Sequence, residues 1–178
     1  MAPFNGLTIA KEACMKDLKR ILVPTDLSKF STVAFEYAKF LAKTFDADLF
    51  ILHVVEETPV VSAYSMDLSL PAVAEELTKQ AEVNLNEFVK AELGSVARLH
   101  VEVRRGNPFT EICKYADEYS IGLIIVATHG RTGLAHMVMG STAERIVQRA
   151  HAPVLAVKPE EVKQQSSQRR ATEDVAKA

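Results

Sequence analysis

Hydrophobic positions along this chain follow two alternating rhythms: short continuous apolar runs that read as buried strands, and three-to-four-residue spacings that read as helices. Ile21-Leu22-Val23-Pro24 is a short strand that Pro24 ends. Thr25-Asp26-Leu27-Ser28 is a polar turn, and Ser28 or Ser31 can cap a helix on which Phe30, Val33, Ala34, Tyr37, Ala38 and Leu41 recur at helical spacing. Asp48 to Val55 is a second strand, apolar almost throughout, so both of its faces are expected to be covered. Glu56 to Pro71 is a long connection with two prolines, of a length that in compact domains is more often functional than filler. The spacing then predicts a helix from about Ala72 to Leu93, with Leu77, Ala81, Leu85 and Phe88 inward and Gly94 closing it. Arg98 to Arg104 alternates strictly, which predicts an edge strand with one wet face. Asn107 caps the next helix, Pro108 takes its first position, and Phe109, Ile112, Cys113 and Ala116 face inward. Leu123 to Ala127 and Val154 to Val157 are two further strands. Between them runs a helix with Ala143, Ile146, Val147 and Ala150 on one face.

Strands alternating with helices imply a parallel sheet covered on both sides. In such sheets ligands bind beyond the carboxyl ends of the strands, where the strand order reverses. If the first strand and the Leu123 strand adjoin there, Pro24-Thr25-Asp26 faces the loop punctuated by Gly130, Gly133 and Gly140. That loop feeds a helix opened by Ser141 and Thr142. Glycines let amides approach an anion, and a first helical turn offers unpaired N–H donors and the positive end of the dipole. A plain structural reading competes, because Ser141-x-x-Glu144 is a capping box that needs no ligand.

At 178 residues and 48% hydrophobic side chains the chain can bury one sizeable core. Three segments are expected: an N-terminal extension of little periodicity (1–17), one folded domain (18–159) and a charged, glutamine-rich tail (160–178). The formal charge of −2 gives no bulk attraction to nucleic acid or to an acidic membrane. No apolar run reaches the length of a membrane span, the N-terminus lacks the apolar stretch of a secretion signal, and two cysteines make no disulfide framework. A cytoplasmic protein is expected. Its five histidines show no metal-ligand spacing.

From about Lys19 to Lys158 these residues resemble the universal stress protein family. The resemblance rests on I-L-V-P-T-D-L-S at the first strand, L-H-V-V-E at the second, and A-T-H-G-R-T-G-L, G-S-T-A-E-R-I-V and A-P-V-L-A-V near the end. The nucleotide-binding branch of that family carries G-x2-G-x9-G-[ST]. Gly130, nine residues and Gly140-Ser141 match its last two elements, while Ala127 stands in place of the first glycine. At a strand end with extended backbone, alanine serves as well. The resemblance implies a single open five-stranded parallel sheet of the Rossmann-like, adenine nucleotide alpha hydrolase-like kind, with strand order 3-2-1-4-5 and helices on both faces. It also implies a homodimer paired through the Val154–Val157 strand, and ATP or another adenine nucleotide with Mg²⁺ or Mn²⁺ held through its phosphates.

Carried over by residue, Asp26 would hydrogen-bond the ribose or adenine region, with Pro24 and Thr25 shaping that wall. Leu49 would line the adenine pocket. Ala127, Thr128, His129, Gly130, Arg131, Thr132 and Gly133 would wrap the phosphates, and Gly140, Ser141 and Thr142 would complete the cradle. Structural alternatives stand beside these roles: Asp26 as a helix cap, Leu49 as plain core, His129 as a loop cap, and Arg131 in water.

The expected function is that of a nucleotide-dependent regulator of the stress response, read by a protein partner. Turnover would be at most slow ATP hydrolysis or autophosphorylation at Ser141 or Thr142, with no catalytic base assignable. The alternative is a dimeric interaction module whose glycine loop is only structural. The S-G-G-x-D-S, H-x-G-H and G-x-x-x-x-G-K-[ST] signatures of other nucleotide enzymes are absent.

Overall fold

The computed structural model describes residues 18–56, 70–94, 96–128 and 139–158. Its elements alternate as β1 (Arg20–Thr25), α1 (Thr32–Phe45), β2 (Asp48–Glu56), α2 (Leu70–Leu93), β3 (Leu99–Gly106), α3 (Pro108–Glu118), β4 (Leu123–Ala127), α4 (Ser141–Arg149) and β5 (Val154–Val157). The strands form one parallel sheet in the order β3-β2-β1-β4-β5, a Rossmann-like arrangement. Side chains alternate across each strand, so each strand supplies two cores. On one face Ile21, Val23, Leu49, Ile51 and Ile125 pack against α1 and α2. On the other, Leu22, Phe50, Leu52, Ile124 and Val126 pack against α3 and α4. Burial on both faces is why β1, β2 and β4 read as continuous apolar runs.

Pro24 does not end β1. The register continues through Pro24↔Leu52 to Thr25↔His53 on the β2 side, whereas pairing with β4 stops at Leu22↔Ile124. The amide of Gly122 bonds Arg20 O, so the even-numbered residues of β1 turn their main-chain groups toward β4. The donor that Pro24 lacks is therefore on the β4 side, and only that ladder is cut short. The sheet splits there, between β1 and β4, where the strand order reverses.

The inward faces of the helices match the spacing in most positions (Val33, Ala34, Ala38 and Leu41 on α1; Ala81, Leu85 and Phe88 on α2; Ala143 and Ile146 on α4) and depart from it in a few. On α1 the buried residues are Ala34, Phe35, Ala38 and Ala42, while Tyr37 is exposed; Phe30, also exposed, lies before the helix. On α2 they include Ala81, Leu85, Val89 and Leu93, with Leu77 exposed, and Val147 of α4 is exposed as well. Gly94 closes α2 with φ +64° and donates its N–H to Lys90 O, as expected.

The polar face of the β3 edge strand is drier than its alternation implied. His100 stacks on Phe50 with ring centroids 4.5 Å apart. Arg104 lies over the Tyr115 ring at 4.5 Å and binds Glu118 at 2.6 Å and Glu102 at 2.9 Å, with 17% of its side chain exposed. Burial, reinforced by the Glu102 carboxylate, holds the Tyr115 phenol well above its ordinary range.

Candidate functional site

A cavity of about 320 Å³ opens at the carboxyl ends of β1, β2 and β4, at the split in the sheet. Its volume falls within the range of small-molecule sites. Pro24, Thr25 and Asp26 form one wall, and Ala127, Thr128, Gly140, Ser141 and Thr142 another. Sequence positions more than a hundred residues apart thus meet in one crevice.

The β1 wall is held by its own turn. Leu27 N–H donates to Thr25 Oγ1 (3.1 Å) and Ser28 N–H donates to Asp26 Oδ1 (3.0 Å), with Leu27 at φ +62°. The buried Thr25 hydroxyl also pairs with Ser31 Oγ (2.8 Å), and Ser31 Oγ donates to Ser28 O (2.7 Å). His53 Nδ1 donates to Thr25 O at 2.8 Å. These bonds fix the Asp26 carboxylate relative to the sheet. Asp26 does not cap α1: the cap position belongs to Ser31, which makes no side-chain cap bond.

The opposite wall is the start of α4. Its N-cap is Gly140, with no side-chain cap bond, so Ser141 is the first helical residue and the expected capping box does not form. Glu144 N–H bonds Gly140 O, and its carboxylate accepts from Gln148 instead of reaching back. The helical pattern leaves the amides of Ser141, Thr142 and Ala143 without intrahelical acceptors, at the positive end of the helix dipole and on the cavity rim. The amide of Gly140 itself is not available to an anion, since it donates to Thr128 O at 2.7 Å. Gly140 contributes space instead. Its backbone (φ −70°, ψ 147°) suits any residue, and a Cβ there would meet, among the described residues, only Thr128 O at 3.5 Å. The fold does not demand glycine at this position; a group seated over the first turn of α4 would.

Leu49 is not part of the crevice. It pairs with Ile21 and Leu99 near the amino-terminal end of β2 and is fully buried in the core beneath α1 and α2. The β2 residues at the cavity are Leu52, His53, Val54 and Glu56. Asp48 N–H bonds Lys19 O, so by alternation Val54 also turns its main chain toward β1, one residue past the last pair, Thr25↔His53. Val54 is thus the β2 residue placed to offer backbone groups to a ligand. The rule that ligands sit at carboxyl ends would have pointed to this end of β2 from sequence. Pro108 and Ile112 of α3, with Val126, Ala143 and Ile146, give the cavity its apolar lining. None of them carried an expected ligand role, because Pro108 read as a helix start and the others as core. His129, Gly130, Arg131, Thr132 and Gly133 lie outside the described residues.

Among the described residues the crevice therefore offers an apolar floor, a carboxylate held in the β1 turn and a helix start with no side-chain cap bond. That combination can hold a flat apolar group bearing hydroxyls and ending in an anion. Among the described residues no group of three or more His, Cys, Asp or Glu could hold a metal ion, and no helix is long and apolar enough to cross a membrane.

Comparisons with known proteins agree with this architecture. The universal stress protein MJ0531 of Methanocaldococcus jannaschii is 35% identical over 140 residues, covering 79% of this chain and 82% of that protein. The solved structure of MJ0577, from the same organism, superposes with a TM-score of 0.71 at 27% identity, over 82% of this chain and 99% of that one. A universal stress protein solved in complex with cAMP shares the fold, with a TM-score of 0.52 and 23% identity over 78% of this chain and 95% of that one. With residues 17–158 matching the Universal stress protein family, the chain belongs to that family.

Proposed function

We propose that this protein is a nucleotide-dependent regulator that binds ATP, or another adenine nucleotide, in the crevice between β1 and β4. One observation carries the reading: the start of α4, whose N-cap makes no side-chain bond, and the Asp26 carboxylate held in the β1 turn line one apolar-floored cavity. The amides of Ser141, Thr142 and Ala143 would receive phosphate oxygens, and Asp26 the ribose hydroxyls. Val54 would present its main chain to the base, over the floor made by Ile112 and Ile146. Space over Gly140 is what a phosphate needs there. Gly130 and its neighbours would add further amides. Mg²⁺ or Mn²⁺ would enter with the phosphates, which neutralise it in place of a protein cage.

The working unit is a homodimer joined through β5. That strand, Val154-Leu155-Ala156-Val157, is an edge of the sheet whose four residues carry no charge, with Pro153 and Lys158 only at its ends. A nucleotide seated at the switch point would bias the conformation that a protein partner reads.

Mass spectrometry of small molecules released from denatured protein tests the proposal. An adenine nucleotide at near-stoichiometric amount is expected, and its mass distinguishes ATP, ADP and cAMP. Absence of any nucleotide, together with no change in melting temperature on adding ATP and Mg²⁺, would leave the interaction-module reading in its place.

A further inference from the structure

We infer that Arg145 is a further ligand of the phosphate chain, one that makes the crevice prefer a nucleoside polyphosphate to a monophosphate; this rests on the nucleotide reading above. Arg145 stands three residues after Thr142 and four after Ser141, on the stripe of α4 that continues from its first turn. Side chains on a helix lean toward its amino terminus, so the guanidinium covers the turn that carries the Ser141 and Thr142 amides. Its position agrees: Arg145 Cζ lies 4.5 Å from the centroid of the Phe109 ring, in the first turn of α3. Pro108, next to Phe109, and Thr142, one turn before Arg145, both line the cavity. The cation is therefore held beside the cavity, between the first turns of α3 and α4.

The fold does not account for a charge at that place. Arg98 is matched by Asp46 and Asp48, and Arg104 by Glu102 and Glu118. Among the described residues no carboxylate pairs with Arg145, which is exposed and rests on the Phe109 face. Glu144 precedes it, but adjacent residues on a helix point apart, and the Glu144 carboxylate accepts from Gln148 Nε2 at 3.2 Å. A cation over the first turn also meets the positive end of the helix dipole, which favours anions and disfavours a second positive group. Stacking on an aromatic ring holds a guanidinium in place while leaving its N–H edge to receive two phosphate oxygens at once. Two anion-binding groups thus stand along one rim: the amides of Ser141, Thr142 and Ala143, and beyond them the guanidinium. One phosphate occupies the amides, and only a longer chain brings its next phosphate to Arg145.

Isothermal titration of the full-length protein, stripped of co-purifying nucleotide, with ATP and with AMP at one fixed salt and Mg²⁺ concentration tests this. Arg145→Met keeps the length of the stem and its packing on Phe109 but removes the charge. ATP affinity should fall about ten- to hundredfold, the range for a hydrogen bond to a charged group. AMP affinity should fall less than about threefold, because its one phosphate feels Arg145 only through solvent. Arg145→Lys, which keeps the charge without the planar fork, should bind ATP more tightly than Arg145→Met. Equal losses for ATP and AMP, or an Arg145→Met protein that binds ATP like the parent, overturn the inference and leave the nucleotide site in place. A parent that binds neither nucleotide removes the nucleotide reading as well.

Discussion

Gly140→Val separates a ligand seat from a structural turn. At ATP concentrations a hundredfold above its dissociation constant, the parent should be stabilised by about 2.7 kcal/mol. For a chain of this size each kcal/mol moves the melting temperature by about 2–4 °C, so the expected rise is about 5–11 °C. Valine at position 140 keeps an allowed backbone, and its Cβ meets Thr128 O at an ordinary 3.5 Å. The unliganded melting point should therefore fall only by what separates valine from glycine at an N-cap, about 1 kcal/mol or less, and the ligand-induced shift is read relative to each protein's own baseline. In the ligand-bound state its methyl groups would stand over the first turn of α4 and push a phosphate away from the Ser141 and Thr142 amides. Losing one charge-assisted hydrogen bond costs about 1.5–3 kcal/mol, which is roughly a ten- to hundredfold loss of affinity. At the same ATP concentration the stabilisation then falls to between about 0.4 and 1.4 kcal/mol, or a shift of about 1–6 °C. Thermal shift with isothermal titration of the same samples reads both quantities. A variant that shifts as far as the parent and binds as tightly would refute the claim that phosphate sits over this turn.

Three other outcomes follow from the same geometry. Asp26→Asn keeps an oxygen for the Ser28 amide but removes the charge offered to a ribose; nucleotide affinity should fall by about tenfold in isothermal titration. Equal titration curves would assign the carboxylate to the turn alone. Ile146→Ala removes a fully buried side chain shared by the core and the cavity floor, and urea denaturation should show a loss of about 2–5 kcal/mol. The hydrogen bond and charge of Arg104 hold the Glu118 carboxyl below its ordinary value of 4.5. A depressed folded value means that this contribution is present above that pH and is lost as pH falls through the folded value. Because Glu118 is exposed, Glu118→Gln should lower the melting temperature only slightly near pH 7 and not at all in strong acid or high salt. A difference that grows toward acid would contradict this sign.

The order of strands and helices, the two-sided burial of the sheet and the placement of Asp26 near the α4 start were all legible in the chain. Local patterning sets them: apolar runs, capping residues and turn chemistry act over a few residues, and the switch-point rule converts their order into a place. What the chain did not reveal depends on geometry between elements. Leu49 and Val54 look alike in sequence, and only the register of β2 against β1 puts one in the core and the other at the crevice. Pro24 looks like a strand terminator, yet because its missing donor faces β4, it trims one ladder and opens the sheet where a ligand would enter. Ser141 has the spacing of a capping box, but the bond from Gly140 N–H to Thr128 O accompanies a helix that starts one residue earlier, with Gly140 as the N-cap and Ser141 inside the first turn. Which residues lie near one another in sequence fixes the elements. Which side of a strand or helix each one faces, and against what, is decided by packing across the sheet.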